Sequence, residues 1–143
     1  ICANAGIDSS NVEGETKVAL LPKDSDASAR EILNDLKGLA NVESLGVIIS
    51  DTFGRPWRDG HVNFAIGCAG MSPFIDYKDT IDAVGQVLIV TTICIADELA
   101  AASELATGKS LNIPVVIIRG SEFNPENAYY ESLLRPKEND LFR

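Results

Sequence analysis

The stretch ISDTFGRPWRDG, Ile49 to Gly60, decides how this chain is read. It follows the apolar run Leu45-Gly46-Val47-Ile48-Ile49 and then gathers a carboxylate (Asp51), a hydroxyl (Thr52), two glycines, two arginines and the only tryptophan. Read as a loop, it closes a buried strand over residues 44–50, which is short, β-branched and not alternating. Asp51 then sits just past the end of a strand, and in α/β sheets ligand sites gather at the carboxyl ends of strands.

Outward from this stretch, strand-like and helix-like segments alternate. Residues 1–7 are short and apolar, a strand or a tight loop. "KVALL" (17–21) reads as a strand stopped by Pro22. A helix is expected over 27–38, with Ile32, Leu33, Leu36 and Leu39 at helical spacing. Ser28 and Glu31 can form its capping box, and Asp24 and Asp26 suit its positive start. On the other side, "HVNFAIGCAGM" (61–71) carries Gly67 and Gly70, a strand that lets another backbone approach closely. "VLIVTT" (87–92) and "IPVVIIRG" (113–120) read as strands, the second one buried. "ICIADELAAASELA" (93–106) is the clearest helix, with Gly108 as its natural stop. A short helix can form over 126–134. The fold class expected is α+β, with mixed α/β layers.

At 143 residues the chain fits one domain, and 45% apolar residues suit a globular core. A formal net charge of −9 repels phosphate backbones, so nucleic acid is not the expected partner. Cys2, Cys68 and Cys94 are odd in number and lack CxxC spacing, which fits reduced cytoplasmic thiols. No signal peptide or membrane-length apolar run is visible. The chain starts at Ile1, directly on core-like "ICANAGI". That is expected of a fragment or a processed chain, or of an N-terminal strand whose Met is trimmed.

Asp8 also follows an apolar stretch. Two carboxylates at two strand ends, Asp8 and Asp51, can converge on a hard cation such as Mg²⁺ or Mn²⁺, with Thr52 adding a hydroxyl oxygen. The competing reading is that each Asp is a turn former or cap. Arg55 and Arg58 offer guanidinium forks to phosphate or carboxylate, with Asn63 as a further contact to substrate or phosphate, or they pair with Asp51 or Asp59. Trp57 is expected to anchor the loop in the core, the alternative being that it packs against a planar ligand. "TGKS" (107–110) mimics a P-loop ending, but it closes a helix instead of opening one, and a Walker-type site is rejected. His61, the single histidine, is expected to be structural or on the surface. Glu98 and Glu104 are expected to be solvated.

Six blocks occur in one order: "ANAGIDSSN" (3–11), "LPKDSDASAREI" (21–32), "ISDTFGRPWRDGHVNFAIGCAGM" (49–71), "DYKD" (76–79), "IADELAAASEL" (95–105) and "IPVVIIRG" (113–120). Together they resemble the coenzyme F-420 γ-glutamyl ligase family. "RPKENDLFR" (135–143) is similar to that family's C-terminal segment, which in some members leads into a flavin domain. The resemblance implies that residues 1–143 form the C-terminal portion of a γ-glutamyl ligase-like domain, an incomplete copy of that fold. It implies a GTP-dependent ligase that activates a carboxylate of the deazaflavin precursor as an acyl phosphate and joins it to L-glutamate. It also implies Mg²⁺ or Mn²⁺, K⁺ as a helper, and an intertwined homodimer. Asp8, Asp51 and Thr52 match metal ligands. Asn11 and the segment Thr107 to Pro114, including Gly108 and Lys109, match nucleotide contacts.

Two departures stand out. Many members place an acidic metal ligand after the glycine matching Gly108, where this chain has Lys109. A cation there can replace part of a metal's charge at the phosphates, or mark altered activity. The family also has a sizeable portion before "ANAGID", so this chain alone is expected to bind weakly or be inactive. The alternatives are a related metal-dependent ligase with another carboxylate acceptor, and a non-catalytic dimerising or supporting module.

Overall fold

The computed structural model describes residues 7–8, 12–14, 16–125 and 130–140. Within these it is a mixed α/β arrangement of two helices and small antiparallel sheets. Its centre is one long hairpin, β3 (Val47–Arg55) with β4 (Arg58–Ala69). Before it come β1 (Ile7–Asp8), β2 (Ala19–Leu20) and helix α1 (Ser25–Ala40). After it come β5 (Ile75–Asp76), β6 (Thr92–Ile93) and helix α2 (Ile95–Thr107). The sheets are separate two-stranded pairs, β1 with β2, β3 with β4, and β5 with β6, all antiparallel.

The stretch 49–60 is therefore not a loop. Asp51, Thr52, Phe53, Gly54 and Arg55 continue β3, and only Pro56 and Trp57 turn the chain. Pro56 presets its own φ, and Trp57 takes φ +57°, the left-handed region usually left to Gly or Asn. Trp57 is 88% exposed at the tip, so it does not anchor anything in the core. Glycine, proline and charge made the stretch look like a long loop, yet a two-residue turn needs no more than two special positions.

The register Val47↔Ala69, Ile48↔Cys68, Ile49↔Gly67 shifts at Ile49/Ser50 to Ser50↔Ala65 and Thr52↔Asn63, so Ile66 is an extra residue in β4. Side chains alternate across a strand. Val47, Ile49 and Ala69 thus share one face, where they pack with Leu45 against Ala29 and Leu33 of α1. Thr52 and Asn63 belong to the other face, and there α2 packs against β4. Covered on both sides, β4 is buried without interruption from Ala65 to Ala69.

α1 starts two residues before the expected position. Its N-cap is Asp24, whose Oδ1 accepts from Ala27 N at 2.7 Å, in place of the Ser28–Glu31 box. Asp26 turns inward instead of staying at the solvated helix start. Its Oδ1 accepts from Cys68 N at 2.8 Å, as Asp97 Oδ1 of α2 accepts from Ala65 N at 2.9 Å. Two first-turn carboxylates therefore hold backbone donors of β4 on either side of Ile66. The close approach expected at Gly67 is present: a Cβ there would stand 2.6 Å from the Ser25 backbone.

Three readings need correction. Residues 113–120 form no strand and are not buried; Val115 is 74% and Ile117 is 73% exposed. Residues 87–92 contribute only the bridge Ile81↔Val87 and the first residue of β6. The expected strand over 17–21 shrinks to the two residues of β2. In each case the apolar pattern is real, but no neighbouring strand among the described residues pairs with it at length. The helix expected over 126–134 is a 3₁₀ turn at Tyr130–Leu133, and residues 126–129 lie outside the described residues. No helix among the described residues is long and apolar enough to cross a membrane.

Candidate functional site

The hairpin and the end of α2 build one polar cluster. Thr52 and Asn63 are direct cross-strand partners, so their side chains rise from the same face. Thr52 Oγ1 donates to Asn63 Oδ1 at 2.9 Å. Asn63 Nδ2 donates to Glu104 Oε2 at 3.1 Å, and Thr107 Oγ1 donates to the same oxygen at 3.2 Å. Lys109 Nζ donates to Thr52 Oγ1 at 2.7 Å across 57 residues of sequence. Asn63 is buried, Thr52, Glu104 and Thr107 are half-buried, and Lys109 is exposed, so the cluster opens to solvent at its cationic end.

The end of α2 is set locally. Gly108 takes φ +53° and its N–H returns to the Glu104 carbonyl at 3.1 Å, which stops the helix and projects Lys109 toward β3. Glu104 and Thr107 stand three residues apart and so share a helix face. Glu104 is the residue that sequence reasoning missed. It is an acceptor for two side chains, not a solvated charge. Its spacing to Thr107, already a candidate, was the available signal.

Of the expected site residues, Thr52, Asn63, Thr107 and Lys109 are brought together, with Gly108 supplying the bend. Asp51 is in mid-strand, not past a strand end, so the strand-end argument does not apply to it. Alternation puts its side chain on the face opposite Thr52, and its Oδ1 reaches back to accept from Thr52 N at 2.7 Å. Asp8 lies exposed in β1, opposite Ala19, in a different sheet from Asp51. Asn11 lies outside the described residues. Pro114 is exposed in the segment after α2, which is neither helix nor strand. Arg55 Nη2 donates to the Asp59 carbonyl at 3.1 Å, while its Nε is buried with no partner among the described residues. Arg58 and His61 are exposed near the tip.

Among the described residues no three His, Cys, Asp or Glu side chains gather into a metal-holding group. The donors that are present, carboxylate and hydroxyl oxygens, are of the hard class that suits Mg²⁺ or Mn²⁺. Mg²⁺ commonly takes only one or two carboxylates and draws the rest from phosphate and water. Cys68 and Cys94 take no part. Burial pushes the Cys68 thiol up to about 11, helped by the nearby Asp26 carboxylate. Burial likewise pushes Cys94 up to about 11. Both are protonated at neutral pH and supply no thiolate nucleophile. Cys2 lies outside the described residues.

A family model described as F420-0:Gamma-glutamyl ligase matches residues 1–120. Over its whole length the chain is 47% identical to a coenzyme F420:L-glutamate ligase of Methanothermobacter thermautotrophicus. It is 43% identical to one of Methanocaldococcus jannaschii and 41% identical to one of Methanococcus maripaludis. In each case it spans 57% of the relative's length.

Proposed function

Because the chain belongs to the F420-0:gamma-glutamyl ligase family, we propose that it serves the reaction named for its relatives, the joining of L-glutamate to a coenzyme F420 precursor. The observation that carries this reading is the cluster of Thr52, Asn63, Glu104, Thr107 and Lys109. It unites residues from the hairpin with the helix end that matches the family's nucleotide-contacting stretch.

The chemistry proposed runs in two steps. A carboxylate oxygen of the precursor attacks the γ-phosphorus of GTP, GDP leaves, and an acyl phosphate forms. The glutamate amine then attacks the acyl carbon, phosphate leaves, and the amine gives up a proton as the amide closes. Both steps build negative charge beside an acidic protein, whose net charge is −9. Catalysis of phosphoryl transfer is mostly positioning and charge neutralisation. Lys109, exposed and cationic at the mouth of the cluster, is suited to nucleotide phosphate. Arg55 and Arg58 are candidates for the precursor's or glutamate's carboxylates. Asp51, with Asp8, would hold the divalent ion, which when bound neutralises phosphate charge. Thr52 is the third expected ligand, but its hydroxyl oxygen is engaged by Lys109. A homodimer and a K⁺ requirement belong to the same reading.

Isothermal titration with GTP tests it. Heat is expected only in the presence of Mn²⁺. Asp51→Asn should remove that metal-dependent part while leaving the melting temperature unchanged. GTP that fails to bind with or without Mn²⁺, both to this chain and to a version extended to the length of its relatives, would overturn the reading.

A further inference from the structure

A second concave site lies across the hairpin from the polar cluster. It is a cavity of about 380 Å³ between α1, the segment that follows it and the end of β4. Leu33, Leu45 and Ala69 give it an apolar floor, and Arg30, Asn34 and Lys37 of α1 line it together with Glu43. Spacings of four and three residues put the three polar α1 side chains on one face of the helix. Arg30 and Lys37 are seven residues apart, about 10 Å along the axis. The chain carries 12 Lys and Arg against 21 Asp and Glu, so a cavity with two cations and one carboxylate reverses the local balance. Arg30 Nη2 also lies 3.9 Å from Asp24 Oδ2, but that pair is long and exposed and holds the guanidinium weakly.

Each charge sets a demand on an occupant. Two separated cations call for two anionic groups rather than one compact anion. Glu43 calls for a cation, and the partial negative charge at the end of α1, which stops at Ala40, adds to it. The apolar floor suits a short methylene chain. Two carboxylates, one ammonium and a few methylenes describe an acidic amino acid. We propose that this cavity binds a free acidic amino acid, L-glutamate in preference to the shorter L-aspartate, at a site separate from the polar cluster. Ala69 and Asn63 are six residues apart in β4, about 20 Å of strand, and α1 and α2 cover opposite faces of the hairpin. The molecule held here is therefore an effector and not a reacting group. It ties α1 and Glu43 to the end of β4.

Titration of the full chain with L-glutamate, without nucleotide or metal and followed by amide NMR, tests this. The amides of Leu33, Asn34, Leu45 and Gly70 should shift saturably, while those of Thr52, Asn63 and Thr107 stay in place. Arg30→Met and Lys37→Met should each weaken binding by about 10-fold, the scale of one charge-assisted hydrogen bond. Glutarate, the same dicarboxylate without the ammonium, should bind the parent about 10-fold more weakly than L-glutamate, by the same scale. In Glu43→Gln that preference should shrink. L-Glutamate should also raise the melting temperature of the parent but not of Arg30→Met/Lys37→Met, whose ligand-free melt shows whether it folds as the parent does. Absence of saturable shifts around the cavity, shifts confined to the polar cluster, or equal affinity of the parent for L-glutamate and glutarate would each overturn the proposal. So would L-glutamate binding that Arg30→Met/Lys37→Met leaves unchanged. Failure of GTP to bind leaves this result untouched, because the titration contains no nucleotide.

Discussion

Asp26 offers a quantitative check on what holds the helices to the hairpin. Its carboxylate is 7% exposed and its Oδ1 accepts from Cys68 N at 2.8 Å, where Cys68 itself is 1% exposed. Asp26→Ala leaves that amide proton buried without a partner, which costs about 1–3 kcal/mol. It also removes a negative charge from the first turn of α1, worth about 0.3–1 kcal/mol. The sum is about 1.5–4 kcal/mol. At about 2–4 °C per kcal/mol for a chain of this size, the melting temperature should fall by about 3–16 °C. Asp26→Asn keeps a carbonyl acceptor of the same shape and loses only the charge, so its melting temperature should fall by about 1–4 °C. Circular dichroism melts at neutral pH, supported by urea titrations, measure both. The Cys68 thiol gives an independent readout. The Asp26 carboxylate is the second cause of its raised pKa, after burial, so Asp26→Asn should move that pKa down. Equal losses from the two substitutions, or an Ala variant as stable as the parent, would refute the account of Asp26 as a backbone acceptor.

Other expectations follow from the same packing. In Gly67→Ala the new methyl would stand 2.6 Å from the Ser25 backbone, which cannot yield as a side chain can. Its urea midpoint should drop by the equivalent of about 3 kcal/mol. Gly38→Ala has nothing within 4 Å and lies inside α1, so it should stabilise by about 0.5–1 kcal/mol. The two thiols set a pH dependence. Their folded pKa values are raised from 9.0 to about 11, so between these the unfolded chain releases protons that the folded chain retains. Their contribution to stability is full below pH 9 and is lost as pH rises toward 11. Urea unfolding at both ends of that window should show a smaller fall in Cys68→Ala/Cys94→Ala than in the parent.

What the sequence made legible is what depends on one segment at a time. The spacing of Leu33 with its neighbours marks α1, and the Ala-, Leu- and Glu-rich run ending at Gly108 marks α2 almost to the residue. Thr52 and Lys109 were both named as site residues. That they touch was not readable, because 57 residues separate them and only the fold brings α2 back to β3. Glu104 was misread for the same reason. On its helix alone it looks solvated, and only Asn63, arriving from β4, makes it an acceptor. The hairpin was misread locally, since Gly54, Pro56 and Asp59 have loop chemistry while cross-strand pairing overrides their propensities. Residues 113–118 show the converse. Their apolar, β-branched run promises burial, yet a strand needs an edge to pair with, and a run of side chains does not say whether one exists.

The extra residue in β4 has a consequence for how such a site can change. Continuing the Val47↔Ala69 register without a break would put Phe64, not Asn63, opposite Thr52. Ile66 thus acts as a phase setter. On its inner side the hairpin keeps step with α1, and on its outer side it keeps step with α2. The apolar packing can therefore drift in sequence without turning Asn63 away from Thr52. Conversely, a slip at this one position would replace an amide with a phenyl ring and erase the polar cluster with no substitution in it. The chemistry of this face hangs on a single unpaired residue, one that carries no functional group of its own.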